Sequence, residues 1–339
     1  MNARAAMNFL SSFINNVNRS TYPKLMPFEG FVGDKEYVDQ VNLWHKWLTW
    51  EKSDPLDLKE HAMDTYKARV LYLYKQSLMT LRFYPEMWYD AAEFCLLNGL
   101  NKEGEEFLRD GLKANPESGL LAFKLADHIE TTGEFEDSQD GNFRKGEAVR
   151  EPYRIQLDAL YEAIKKAIQR SDDAVARFKE SQAGRLAALE ERLNQNRDDE
   201  DFDGEAEAEK KRAAEEDIEK TTQAIKNGME VEILKIKRLI TFSWISLMQT
   251  MRRIQGKGDP YATGKGVAPG FRGIFIEARQ RGHLLSEAYI MSAKIEHICY
   301  QDAAATKIFE RGMKLFPNDA NFALEYISHL INQHDITSK

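Results

Sequence analysis

Three proline-marked junctions constrain this chain more than anything else in it. Phe83-Tyr84-Pro85-Glu86-Met87-Trp88, Ala114-Asn115-Pro116-Glu117 and Phe316-Pro317-Asn318-Asp319 each follow one amphipathic stretch and precede another. Proline suits the first turn of a helix, where its missing N–H costs nothing, and Asn115 or Asp319 is placed to cap the free amides. Pro85 and Pro116 are 31 residues apart, close to the roughly 34 residues of a two-helix repeat. The spacing predicts helix pairs recurring along the chain.

Between the junctions the apolar period is helical. Trp44, Trp47, Leu48 and Trp50 form a stripe ending at Glu51, and Ser53-Asp54-Pro55 is expected to cap and start the next helix. That helix carries Val70, Leu73, Tyr74, Leu78 and Leu81 at spacings of three and four. The next unit repeats the plan with Trp88, Ala91, Ala92 and Cys95, then Phe107, Leu108 and Leu112. A third unit is expected from about Glu117 to Thr132 and from Pro152 to about Gln169. A fourth carries Ile240, Trp244, Leu247 and Met251, then Phe271 to Arg281. A fifth covers Leu284 to Tyr300 and Asp302 to Phe316, and an incomplete sixth opens at Asp319.

Trp44, Trp47, Trp88, Tyr74, Trp244 and Phe309 read as the structural repeat core rather than as a cofactor box. With 42% hydrophobic and 11% aromatic residues, a continuous core can be built. Pairs that cannot bury their apolar faces alone stack on neighbours, so the expected fold is all-α, an α-solenoid of antiparallel helix pairs.

One stretch breaks the pattern. Asp198-Asp199-Glu200-Asp201-Phe202-Asp203 sits between charged flanks, where Val175, Phe178, Leu186, Leu189 and Leu193, and later Ile218, Ile225 and Met229, keep only a thin apolar stripe. Residues 171–229 read as a charged insertion. It is either a solvated helical hairpin with a disordered tip or two helical extensions around a loop. The expected organisation is a lead-in helix and linker at 1–35, repeats one to three at 36–170, the insertion at 171–229, and repeats four, five and the incomplete sixth at 230–339.

The charge of −8 argues against a general nucleic-acid coat, which needs a positive excess. Arg252, Arg253, Lys257, Lys265 and Arg272 form a candidate basic patch for RNA or an acidic partner. The Gly256–Gly266 segment between them fails the phosphate-loop spacing and follows a helix, so it otherwise reads as an inter-helix loop. Cys95 and Cys299 both lie in apolar helical patterns and are expected to be buried, reduced thiols. His297 and Cys299 lack a second ligand pair for a metal. No catalytic group or cofactor is expected. The first apolar run, Met7 to Ile14, lacks the pattern of a signal peptide, and no stretch is long enough to span a membrane, so a soluble intracellular protein is expected.

The segment Val41-Asn42-Leu43-Trp44-His45-Lys46-Trp47-Leu48-Thr49-Trp50-Glu51-Lys52-Ser53-Asp54-Pro55-Leu56 resembles a HAT (half-a-TPR) motif. With Arg69-Val70-Leu71-Tyr72-Leu73-Tyr74 and Pro85-Glu86-Met87-Trp88-Tyr89-Asp90-Ala91-Ala92-Glu93-Phe94, it is similar to the C-terminal half of the HAT domain in the suppressor-of-forked family. Lys307-Ile308-Phe309-Glu310-Arg311-Gly312-Met313-Lys314 resembles that family's second-helix pattern. The family includes the HAT-repeat scaffold subunits of cleavage stimulation factor and yeast cleavage factor IA.

The resemblance implies a nuclear, non-catalytic scaffold of pre-mRNA cleavage and polyadenylation. It further implies pairing through the C-terminal HAT repeats and a partner carrying an RNA-recognition motif. Against the family pattern, no earlier HAT set precedes Trp44, the array stops mid-repeat at Lys339 and no Pro-rich tether for that partner is present, so a fragment or a truncated gene product is expected. The alternatives are a HAT scaffold of splicing or ribosome assembly and, more remotely, a prenyltransferase α-like subunit.

Overall fold

A computed structural model describes residues 3–18, 23, 34–195, 204–258 and 268–334. Among these the chain is helical, with no strand. It forms two compact units, Met1–Gln156 and Leu157–Lys339, each a set of helices packed against their neighbours in sequence.

The first unit holds α1 (Ala3–Asn16), α2 (Lys35–Lys52), the short α3 (Leu58–His61), α4 (Met63–Thr80), α5 (Pro85–Leu97), α6 (Asn101–Ala114) and α7 (Gly119–Thr132). Asp34 starts α2 by accepting the Tyr37 N–H. The inward face of α2 buries Tyr37, Val41, Trp44 and Leu48, and Trp44 stacks on Trp47 at 5.6 Å. From α1, Phe13 also stacks on Trp47, at 6.1 Å. Such aromatic layers remove large apolar areas from water at a low entropy cost per contact.

Three local expectations differ in detail from the structure. Asp54 caps one turn later than expected: its carboxylate accepts the N–H groups of Leu58 and Lys59, both at 2.8 Å, so α3 rather than Pro55 opens the next helical segment. Pro85 occupies the first turn of α5, whereas Pro116 and Pro317 lie in the turns before their helices. Asn115 does not cap α7; its amide donates to the carbonyls of Arg82 and Gly111, and Ser118 accepts from Leu121 N–H instead.

Close approach within the pairs depends on glycine. A Cβ on Gly111 of α6 would lie 2.8 Å from Trp88 Cβ on α5. Trp88 is half-buried here, with its indole N–H donated to the Arg82 carbonyl at 2.8 Å.

Helix α8 (Gln139–Gln195) starts well before the expected Pro152 and runs through it. An interior proline forfeits one hydrogen bond and crowds the carbonyl four residues earlier. Val149, Tyr153, Leu157 and Leu160 are buried on either side of it, and that packing holds the helix continuous where local propensity would end it.

The second unit contains the rest of α8, then α9 (Gly204–Gln255), α10 (Gly270–Arg281), α11 (Ser286–Tyr300), α12 (Ala304–Leu315) and α13 (Ala320–His334). Trp244 of α9 is buried and donates its indole N–H to the Tyr161 hydroxyl of α8 at 3.1 Å; that hydroxyl donates to the Gly282 carbonyl. Asp319 caps α13 through the Phe322 N–H at 3.0 Å and accepts the Ser286 hydroxyl. Phe309 of α12 is fully buried among Phe322, Tyr326 and His329. Gly312 admits the Phe322 ring directly against the α12 backbone.

Beyond the packed core, α8 and α9 continue side by side. Arg170 pairs with Glu232 and Glu190 with Lys211, both at 2.7 Å. Each step forward on α8 is therefore a step back on α9, and the two helices run antiparallel. Their contact is thin: Ala214, Ile218 and Thr222 are buried, while Val175, Phe178, Leu186 and Leu189 stay half-buried. The acidic run 198–203 lies outside the described residues.

Candidate functional site

The basic residues singled out in the sequence separate into distinct settings. Arg252 is half-buried at the end of α9, close enough to Tyr300 to oppose the upward push of burial on its hydroxyl. Arg253 donates to the Thr250 hydroxyl at 3.2 Å. Lys257 extends to Asp302, 2.6 Å away, with its ammonium 5.4 Å from the centre of the Tyr300 ring. Arg272 grips both oxygens of Glu296, at 2.5 and 2.8 Å, and reaches Asp302 at 3.0 Å. Lys265 lies outside the described residues.

The structure thus gathers Lys257 and Arg272 at one locus and supplies two carboxylates that the sequence reading did not single out. Hydrogen bonds from Lys257 and from the Ala304 N–H, with the nearby charges of Lys257 and Arg272, hold the Asp302 carboxyl well below the usual carboxylate range. Charge-assisted, bidentate pairs of this kind fix the geometry of the helix ends they join.

The first unit has a counterpart. Glu51 at the end of α2 is buried and bound through one oxygen, Oε1, by the Arg69 guanidinium of α4. Its other oxygen, Oε2, is buried without a hydrogen-bond partner. Beside it, Lys52 donates to both oxygens of Asp90 at 2.9 Å and Tyr74 donates to Asp90 at 2.7 Å. Burial and then the Asp90 charge push the Tyr74 hydroxyl far above its ordinary range. Tyr74 at 0% exposure, Trp44 at 1%, Trp244 at 1%, Phe309 at 1% and Trp47 at 9% all lie inside their units.

Cys95 is buried, and burial pushes its thiol up to about 11. Cys299, expected to be buried as well, is exposed: it lies on the outer side of α11 next to the exposed Ile298. No group of three His, Cys, Asp or Glu side chains among the described residues is arranged to hold a metal. No helix among them is long and apolar enough to cross a membrane.

Several grooves open beside the helix pairs among the described residues, two of them between packed repeat helices at about 400 Å³ or more. One, of about 670 Å³, lies in the first unit between Leu71, Leu78 and Met79 of α4, Trp88 of α5 and Phe107 of α6. Its rim mixes Lys75, Arg82 and Lys113 with Glu103, Glu106 and Asp110, and Lys113 is paired to Asp110 at 3.0 Å. The other, of about 420 Å³, lies in the second unit between α10, α11 and α12. Its cations Lys307 and Arg311 stand one turn apart on α12, a spacing visible in the sequence, although nothing in the sequence shows that a groove lies beside them.

The model of the suppressor of forked protein family matches residues 1–339. The chain belongs to the suppressor of forked family. Among its relatives, the mRNA 3′-end-processing protein rna14 of Emericella nidulans is 47% identical over 99% of this chain and 30% of its own length. The mRNA 3′-end-processing protein rna-14 of Neurospora crassa is 42% identical over 100% of the chain and 28% of its own length. In Yarrowia lipolytica the mRNA 3′-end-processing protein RNA14 is 30% identical over 99% of the chain and 32% of its own length. The chain therefore spans about a third or less of these relatives.

Proposed function

We propose that this chain is a non-catalytic scaffold segment of the nuclear mRNA 3′-end-processing machinery, holding other cleavage and polyadenylation factors on the faces of its helix pairs. The observation that carries the reading is the 47% identity across nearly the whole chain to a protein named for mRNA 3′-end processing. Helix pairs built around buried aromatics are a repeat architecture that presents extended binding surfaces. The partners in this reading include a subunit with an RNA-recognition motif and a second copy bound through the C-terminal repeats. Exposed Leu324, Ile327 and Ile331 on α13 support such an association, because a contiguous apolar face in water favours a covering surface.

Affinity purification of the full-length protein from nuclear extract tests the reading. Cleavage and polyadenylation factors are expected in the eluate. Spliceosomal or ribosome-assembly proteins in their place would overturn it.

A further inference from the structure

The groove of the second unit is chemically lopsided. Its floor is apolar, formed by Phe275 and Ile276 of α10, Tyr289 of α11 and Ile308 of α12. At its inner end, Glu296 and Asp302 are already matched by Arg272 and Lys257. Its lining also holds the half-buried Arg279, packed over the Phe275 ring at 5.0 Å, and the exposed Lys307 and Arg311. Among the described residues Lys307 and Arg311 have neither a hydrogen bond nor an ion pair. The fully buried Ser292 also lines the groove, and its hydroxyl has no hydrogen-bond partner in the chain.

We propose that this groove docks an acidic peptide segment of a partner protein, with one bulky apolar side chain of that segment seated on the Phe275–Ile276–Ile308 floor. Carboxylates of the peptide pair with Lys307 and Arg311. The volume is that of a pocket for a few side chains. Charge complementarity of this sort sets specificity and approach rate.

A phosphate backbone fits the groove less well. Nucleic-acid binding relies on a continuous positive track that displaces counterions, and this groove ends in two carboxylates over an apolar floor. Between 171 and 229, 17 Asp and Glu against 10 Lys and Arg place −7 of the chain's −8 outside the repeats. The repeats themselves are thus close to neutral, not basic.

The inference rests on the scaffold reading only in taking the ligand to be a protein. The test is fluorescence anisotropy of the full chain with a labelled, short Glu-rich peptide carrying one central Phe. Controls are the same peptide with Phe replaced by Ala, and a single-stranded oligouridylate of equal charge. The Phe peptide is expected to bind. The Ala peptide and the Lys307→Glu/Arg311→Glu double variant are each expected to lose roughly tenfold in affinity, about 1.4 kcal/mol.

Both substituted side chains are exposed, and circular dichroism checks that the variant keeps its helix content. Equal binding by the variant, no dependence on Phe, or displacement of the peptide by the oligouridylate would overturn the assignment. If the peptide does not bind while full-length protein still recovers 3′-end-processing factors from extract, the groove assignment falls and the scaffold reading stands.

Discussion

Glu51 and Glu296 hold matching places in the two units, each a buried carboxylate near the end of a helix and each clamped by an arginine. They are satisfied to different degrees. Arg272 binds both oxygens of Glu296, whereas Arg69 binds one oxygen of Glu51 and leaves the other buried and unpartnered. Their arginines also differ in exposure, at 27% for Arg272 and 36% for Arg69. Burying an ion is expensive unless its lone pairs are met. The second unit therefore depends on its clamp more than the first does on its own.

Arg272→Met strips Glu296 of both bonds and leaves an uncompensated charge. A loss of about 3–5 kcal/mol is expected, read as lost hydrogen-exchange protection in α10 to α12. Arg69→Met should cost less, about 1–3 kcal/mol, because half of Glu51 already lacks a partner. An equal or larger cost for Arg69→Met, read as lost protection in α2 and α4, would overturn that ranking. Arg272→Met combined with Glu296→Leu should recover most of the loss, since an apolar pair of similar volume carries no desolvation penalty.

Acid sharpens the contrast further. Asp302 titrates below its ordinary range, so the folded state binds its proton less readily than the unfolded one. Its contribution is full above the unfolded value near 3.9 and is lost as pH falls from there through the lower folded value. The second unit is expected to lose protection progressively below about pH 4, and Asp302→Asn to flatten that limb. An unchanged acid profile in the variant would remove Asp302 as its source. The smallest effect belongs to the antiparallel extension of α8 and α9. There Lys211→Ala removes the pair of a half-buried lysine with the exposed Glu190, and circular dichroism should register no shift in thermal midpoint.

Local order was written plainly in the chain. The three-and-four spacing of Val70, Leu73, Tyr74 and Leu78 is the register in which α4 buries them, and Asp319 announces α13 by the chemistry of its cap. Pro152 misled because a strong local signal for a helix start was overridden by the burial of Val149 and Tyr153 around it. Asn115 misled because Ser118 offered the same cap closer to the helix. Cys299 looked like its apolar neighbours, although period alone does not say which of two adjacent faces meets the core.

The candidate site was less legible for a different reason. Arg272 and Glu296 are 24 residues apart and Lys257 and Asp302 are 45 apart. No local pattern encodes such pairings. A sequence shows the charges, but the tertiary fold decides whether a carboxylate on a charged helix faces water or an arginine of another helix.

The notches at Gly111 and Gly312 have an evolutionary consequence. Every missense change at a glycine codon adds at least a Cβ, and here that carbon meets the Trp88 Cβ or the Phe322 ring rather than solvent. Neither position has a milder neighbour in mutational space, because no residue is smaller. In a saturation library selected for the folded chain, these two columns should empty, while exposed Gly184 and Gly228, where an added Cβ meets nothing, should fill freely.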